Sequence, residues 1–142
     1  MTQIEVSLCI SRKKLMGLTN PALEKLCEEI FSLNAGIRFV GVITRMGKLV
    51  AGGMRQGTQS MEQREDSSKL FLEFALRNEM RKDFDEAFGK TVYSFSERER
   101  IKLASFPFDG YLVRVSMERG VNHVNVIEGI LALLGRNNDL LE

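Results

Sequence analysis

Ile37-Arg38-Phe39-Val40-Gly41-Val42-Ile43-Thr44-Arg45 is the stretch that decides the fold. In an extended strand successive side chains point to opposite faces, so Phe39 and Ile43 project one way and Val40 and Val42 the other. A strand apolar on both faces belongs inside a sheet that is covered on each side, and helices must supply that cover. Met46-Gly47 then reads as a tight turn and Lys48-Leu49-Val50-Ala51-Gly52-Gly53-Met54 as the returning strand, which makes a hairpin. Within it Gly52-Gly53 marks a bulge or a close approach by another backbone, and Gln56-Gly57-Thr58-Gln59-Ser60 a loop.

Upstream, Thr19-Asn20-Pro21 starts a helix: Pro is tolerated at the first helical position and Asn20 can cap the free N–H groups. The predicted helix covers residues 21–33, with Leu23, Leu26, Cys27, Ile30 and Phe31 on one stripe, and Asn34-Ala35-Gly36 stops it. Residues 1–20 form an arm with two readings. Ile4, Val6, Leu8 and Ile10 alternate as in a strand, whereas Ser11-Arg12-Lys13-Lys14 and Leu15-Met16 can begin a helix.

Downstream, the longest predicted helix spans 65–88, with Leu70, Phe71, Phe74, Ala75, Met80, Phe84, Ala87 and Phe88 as its apolar side and Gly89 as its end. Glu73 and Arg77, Arg81 and Asp85, and Lys82 and Glu86 lie four apart on a solvated face, each pair contributing only about 0.2–0.5 kcal/mol. Leu72 and Leu76 extend the apolar surface beyond one stripe, so this helix should contact more than its own sheet. Three strands follow over 91–96, 101–106 and 111–117, joined by a charged loop at 96–100 and by Phe108-Asp109-Gly110, whose Asp-Gly pair suits a hairpin turn. In the last strand Tyr111, Val113, Val115 and Met117 alternate with Leu112, Arg114 and Ser116, giving one plainly buried face. A final helix over 122–134 turns Val124, Ile127, Ile130, Leu131 and Leu134 inward, and the tail 136–142 frays.

The order α-β-β-α-β-β-β-α, with no linker or repeat, describes one α+β domain over residues 21–135 built on a five-stranded antiparallel sheet with helices on both faces. Composition agrees: 142 residues, 44% of them hydrophobic, with 20 Lys+Arg against 19 Asp+Glu and a net charge of +1. A chain of this length buries about 70% of its unfolded surface, enough for one core without disulfides or metal. Near-zero net charge offers no field for nucleic acid or an anionic membrane. The basic residues Arg12, Lys13, Lys14, Arg45, Lys48 and Arg55 lack interleaved aromatics and read as solvated surface. No run of about 18 apolar residues suits a membrane span, and the opening residues lack the pattern of a secretory signal. Cys9 and Cys27 fit no metal spacing and read as reduced thiols, so a cytoplasmic protein is expected.

This element order resembles the roadblock/longin superfamily, whose sheet is similar to that of profilin. Residues 37–43 with Gly47-Lys48-Leu49-Val50-Ala51-Gly52-Gly53-Met54, and Ala104-Ser105-Phe106-Pro107 with Val115-Ser116-Met117-Glu118, also look like a family found in ammonia-oxidising archaea that has no assigned function. The roadblock resemblance implies a homodimer made through an edge strand and the long helix, which here are represented by Tyr93, Phe95, Leu72, Leu76 and Met80. It also implies a small GTPase or a larger assembly as partner.

Catalytic chemistry finds no footing. Gly89-Lys90-Thr91 ends like a phosphate-binding loop, but that motif needs Gly where Phe84 stands and runs from strand to helix, the reverse of this order. Gly52 to Gly57 lacks the G-x-G-x-x-G spacing. His123 is the sole histidine and falls at a helix start, where it caps or faces solvent, and no carboxylate pair is singled out. No cofactor, metal or catalytic residue is assigned, and the protein is read as no enzyme. Two functional readings stand: a non-catalytic dimeric regulatory or scaffold module, and a small-ligand sensor with an apolar pocket lined by Phe39, Phe74, Phe106, Phe108 and Met117.

Overall fold

Asn20 opens the first helix as its sequence requires: its Oδ1 accepts hydrogen bonds from the Ala22 and Leu23 amides at 2.9 and 3.3 Å, with Pro21 at the first helical position. In the computed structural model, residues 20–61 and 64–136 are described, without the side chains of 64–66. The arm before Asn20, with its strand or helix reading, and the tail after Arg136 lie outside the described residues.

The chain runs α1 (Pro21–Phe31), β1 (Ile37–Ile43), β2 (Leu49–Met54) and α2 (Arg64–Arg81), then a 3₁₀ turn (Lys82–Phe84) and the short α3 (Asp85–Phe88). It continues with β3 (Ser94–Glu97), β4 (Lys102–Phe108), β5 (Tyr111–Met117) and α4 (His123–Arg136). All five strands join one antiparallel sheet in the order β2-β1-β5-β4-β3. The expected α+β architecture with helices on both faces is what forms.

Val40 and Val42 of β1 are fully buried on the face covered by α1 and α4, with Ala104, Phe106, Phe108, Val113, Val115 and Met117 beside them. Leu23, Leu26 and Ile30 from α1 and Val126, Ile127, Ile130 and Leu133 from α4 close this layer. Burying each such side chain stabilises the fold by about 1.5–3 kcal/mol. On the opposite face Phe39 stacks on Phe71 of α2, ring centroids 5.6 Å apart. Between them the two faces satisfy the double-sided apolar pattern of β1.

Several boundaries differ from the pattern reading, each for a local reason. The first hairpin is closed not by a two-residue turn but over Thr44 to Lys48, where the Thr44 hydroxyl accepts hydrogen bonds from the Met46 and Lys48 amides, both at 3.2 Å. The long helix stops at Arg81 and the chain tightens into the 3₁₀ turn before α3, although Gly89, at φ 80°, does end the run. Strand β3 begins only at Ser94, opposite Ser105. Carried further, that register would set Val92 against Pro107, which has no N–H to add to a ladder. Because β3 stops there, Pro107 is tolerated and β4 runs on to Phe108. At the β4–β5 hairpin Asp109 and Gly110 both adopt positive φ, 47° and 83°, as an Asp-Gly turn should.

Strand β5 departs most from its sequence reading. Leu112, Arg114 and Ser116, the alternate positions, are buried as well as Val113, Val115 and Met117. The strand is central, and α2 covers the face that these three share.

Candidate protein-interaction surface

Leu72, Leu76 and Met80 are 42, 52 and 68% exposed on α2, and Phe84 and Phe88 beyond it are 59 and 83% exposed. A spacing of four residues places the first three on one stripe of the helix. The 3₁₀ turn and α3 carry the apolar series onward, with the Phe84 and Phe88 rings stacked at 6.0 Å. Val92 and Tyr93 follow, also exposed. Soluble monomers rarely leave so many large apolar side chains of one continuous segment in water, and such surfaces mark contacts with other molecules.

Next to this segment lies a sheet edge. Strand β3 is last in the strand order, and among the described residues it pairs with β4 alone, so that its outer backbone groups meet no other described strand. Arg81 at the end of α2 donates from Nη1 to Ser94 Oγ at 2.8 Å, which ties the helix to the edge strand. Ion pairs line the middle and the C-terminal end of α2 as well. Glu73 and Arg77 form the expected ion pair, 2.6 Å apart, whereas Lys82 pairs with Glu79 at 2.8 Å rather than with Glu86. Arg45 of the first hairpin reaches the same Glu79 at 3.4 Å. The hydrogen bond from Lys82 holds the Glu79 carboxyl below the usual carboxylate range; burial opposes this, and the charges of Lys82 and Arg45 reinforce it.

Of the interface residues named from sequence, Leu72, Leu76, Met80 and Tyr93 are all exposed, but they are not equivalent. The Tyr93 ring leans toward the buried Phe106, centroids 6.0 Å apart. Phe95 alternates inward and stacks on the His123 imidazole at 4.4 Å, so it belongs to the packing around α4 rather than to the outer edge. Met80, Phe84, Ala87 and Phe88 were expected to face the sheet; instead all four are exposed, Met80 because it lies on the outward stripe of α2 with Leu72 and Leu76, and the other three beyond the loss of helical register at Lys82. Phe84 and Phe88 are the surface residues that sequence reasoning assigned to the core, although their four-residue continuation of Leu72, Leu76 and Met80 was there to be read.

The five residues expected to line one apolar pocket are divided by the sheet. Phe106, Phe108 and Met117 lie in the core beneath α1 and α4. Phe39 stacks under α2, and the Phe74 ring lies 3.2 Å from the Arg114 guanidinium on that same face. Alternate strand residues face opposite sides, so these five do not share a cavity. A cleft of about 440 Å³ opens between α2 and the β4–β5 hairpin and is walled by Arg45, Glu79, Lys82, Asp85, Lys90 and Asp109. Only Phe108 of the five reaches it.

His123 is half-buried at the first residue of α4, where its Nδ1 lies 3.0 Å from Lys102 Nζ. Lys102 also donates to the Val121 carbonyl at 2.8 Å, a structural pairing at the entry to the helix. Arg55, read from sequence as solvated, turns inward: it donates to the carbonyls of Ile37, Phe31 and Asn34 at 2.7, 2.7 and 2.8 Å. The hairpin basic residues therefore do not form a common patch. Among the described residues no cluster of three or more His, Cys, Asp and Glu is placed to hold a metal, and no helix is long and apolar enough to cross a membrane.

The fold is that of Roadblock/LC7 domains. The Roadblock/LC7 domain from Streptomyces avermitilis superposes with a TM-score of 0.64 at 10% identity, over 84% of this chain and 97% of that one. MglB from Myxococcus xanthus gives 0.67 at 14% identity, over 85% and 95% of the two chains. A further structure, described as MglB with tetrameric arrangement, gives 0.70 at 12% identity, over 85% and 90%. No curated protein matches the sequence. Residues 18–141 match the family described as Family of unknown function (DUF6659), and with nearly the whole chain spanned, the protein belongs to that family.

Proposed function

We propose that the protein is a non-catalytic regulatory or scaffold module that acts in the cytoplasm as a homodimer and engages a small GTPase or a larger assembly. The observation that carries the dimer is the adjacency of two surfaces: the exposed stripe Leu72, Leu76 and Met80 on α2, and the outer edge of β3, which no other described strand pairs. A second copy related by a two-fold axis supplies both complements at once, since an isologous contact presents each patch to itself. Pairing of the two β3 edges would join the sheets, and the two α2 stripes would cover each other. Self-assembly has a precedent on this fold in the MglB structure of tetrameric arrangement. The GTPase partner rests on the roadblock resemblance.

Light scattering at several micromolar concentrations tests the dimer. The wild type is expected at twice 16.1 kDa, and a Leu76→Glu plus Met80→Lys variant at the monomer mass with an unchanged circular dichroism spectrum. Both substituted side chains are exposed, so the variant separates association from folding. A wild type that remains monomeric throughout overturns the reading. The partner is tested by retention of purified small GTPases, loaded with GDP or GTP, on the immobilised protein; nucleotide-dependent retention supports it and none in either state counts against it.

A further inference from the structure

The cleft between α2 and the β4–β5 hairpin carries both signs of charge, unevenly placed. Three cations, Arg45, Lys82 and Lys90, and three carboxylates, Glu79, Asp85 and Asp109, wall it, so its charges cancel in sum. Glu79 is shared, because Lys82 Nζ and Arg45 Nε both approach its Oε1, at 2.8 and 3.4 Å. Two cations on one carboxylate leave a positive excess around Glu79. Among the described residues Asp85, Lys90 and Asp109 enter no ion pair, and two carboxylates against one ammonium leave a negative excess on the rest of the wall.

Three parts of the chain supply these groups. Arg45 comes from the first hairpin, Glu79, Lys82 and Asp85 from α2 and the turns that follow it, and Asp109 from the β4–β5 turn. The lining also includes Ala75, Phe108 and Leu112, all buried, and the half-buried Pro107 and Tyr111.

From this arrangement we infer a site for a small zwitterion that carries one ammonium, one carboxylate and an apolar body, the chemistry of a free amino acid or a short peptide. The carboxylate meets Arg45 and Lys82, since a guanidinium presents a planar fork of N–H donors matched to two oxygens. The ammonium donates to Asp85 and Asp109, and the apolar body rests on Pro107 and Tyr111. A ligand with a net charge would leave one of the two excesses uncompensated. A volume of about 440 Å³ is of the size that small molecules occupy. Each solvent-exposed ion pair contributes little by itself, so recognition depends on both charged ends and the apolar body together. None of these residues belongs to the stripe Leu72, Leu76 and Met80, and the site does not depend on the dimer.

The test is thermal melting of the full chain at constant ionic strength, with L-phenylalanine and the dipeptide Ala-Phe as zwitterions. Hydrocinnamate, which lacks the ammonium, and phenethylamine, which lacks the carboxylate, are the one-charge analogues. A saturable rise in Tm with at least one zwitterion is expected, with each analogue bound about threefold to tenfold more weakly. A response to L-phenylalanine alone identifies an amino-acid site, and a response to the dipeptide identifies one that admits a peptide. Asp109→Asn keeps the turn, because Asn tolerates the left-handed conformation that Asp109 adopts at φ 47°. It should weaken the zwitterion about threefold to tenfold and leave hydrocinnamate unchanged. Arg45→Gln, at an exposed position, should weaken the zwitterion similarly and leave phenethylamine unchanged. No saturable response to either zwitterion, equal responses to the one-charge analogues, or an unchanged affinity in either variant would overturn the assignment.

Discussion

Gly47, in the turn between β1 and β2, lies directly against the backbone of Leu72 in α2: a Cβ at Gly47 would stand 2.8 Å from both the Leu72 N and Cα atoms. The turn also needs a left-handed conformation there, with φ at +80°. Two independent requirements thus converge on one missing side chain, and through it the first hairpin sets how closely α2 approaches the sheet.

Gly47→Ala should therefore destabilise the protein by about 2–4 kcal/mol, combining backbone strain with displacement of the helix. Gly57 provides the control: its φ is +78°, but a Cβ there meets nothing within 4 Å. Gly57→Ala should cost only about 1 kcal/mol. Urea denaturation of the two variants measures the difference, and equal losses would mean that the contact with Leu72 contributes nothing.

Arg55 gathers three backbone carbonyls that the end of α1 and the start of β1 would otherwise leave to solvent. Its guanidinium also lies 5.0 Å from the centre of the Phe31 ring. Arg55→Met should cost about 2–4 kcal/mol, since hydrogen bonds from a charged donor contribute about 1.5–3 kcal/mol each and are not additive. Arg55→Lys should recover less than half of that loss, because an ammonium cannot span three acceptors fixed by a planar fork. Chemical denaturation of both variants decides the matter.

Asn20→Ala removes the side-chain acceptor for two amides of the first turn of α1. The expected loss is about 1 kcal/mol, and Asn20→Asp should retain most of the wild-type stability because aspartate caps equally well and favours the positive end of the helix dipole. A larger loss in Asn20→Asp than in Asn20→Ala would contradict this account.

Leu76→Glu alone should change the stability of the isolated domain by no more than about 0.5 kcal/mol, as is usual for an exposed substitution. Phe106→Ala, by contrast, should cost about 3–5 kcal/mol, since Phe106 is fully buried between the sheet and its helices. Calorimetry at a concentration low enough to hold the variants monomeric compares the two. A strongly destabilised Leu76→Glu would place that side chain inside the domain rather than at a surface for another molecule.

What could be read from sequence was set by local chemistry. The two-faced apolar pattern of Val40, Val42, Phe39 and Ile43 implied cover on both sides; Asn20-Pro21 and Asp109-Gly110 carried cap and turn geometry in their own side chains. What stayed hidden depended on tertiary context. Alternation in β5 separates Arg114 and Ser116 from Val113 and Val115, but it cannot tell that a helix roofs the polar set too. Arg55 looks like any surface cation until the three carbonyls around it are in place. Met80, Phe84 and Phe88 continue the four-residue apolar series of Leu72 and Leu76, but spacing alone does not say which apolar stripe of the helix meets the sheet.

The two helical layers also differ in how firmly they are anchored. One layer is closed by buried side chains from both α1 and α4, whereas among the described side chains of α2 only Ala75 is fully withdrawn from water. Sub-global opening should therefore lift α2 from the sheet while α1, α4 and the strands between them remain folded. Amide hydrogens of α2 would then exchange ahead of those in α1 and α4, making α2 the helix whose protection is most sensitive to what settles on it or beside it.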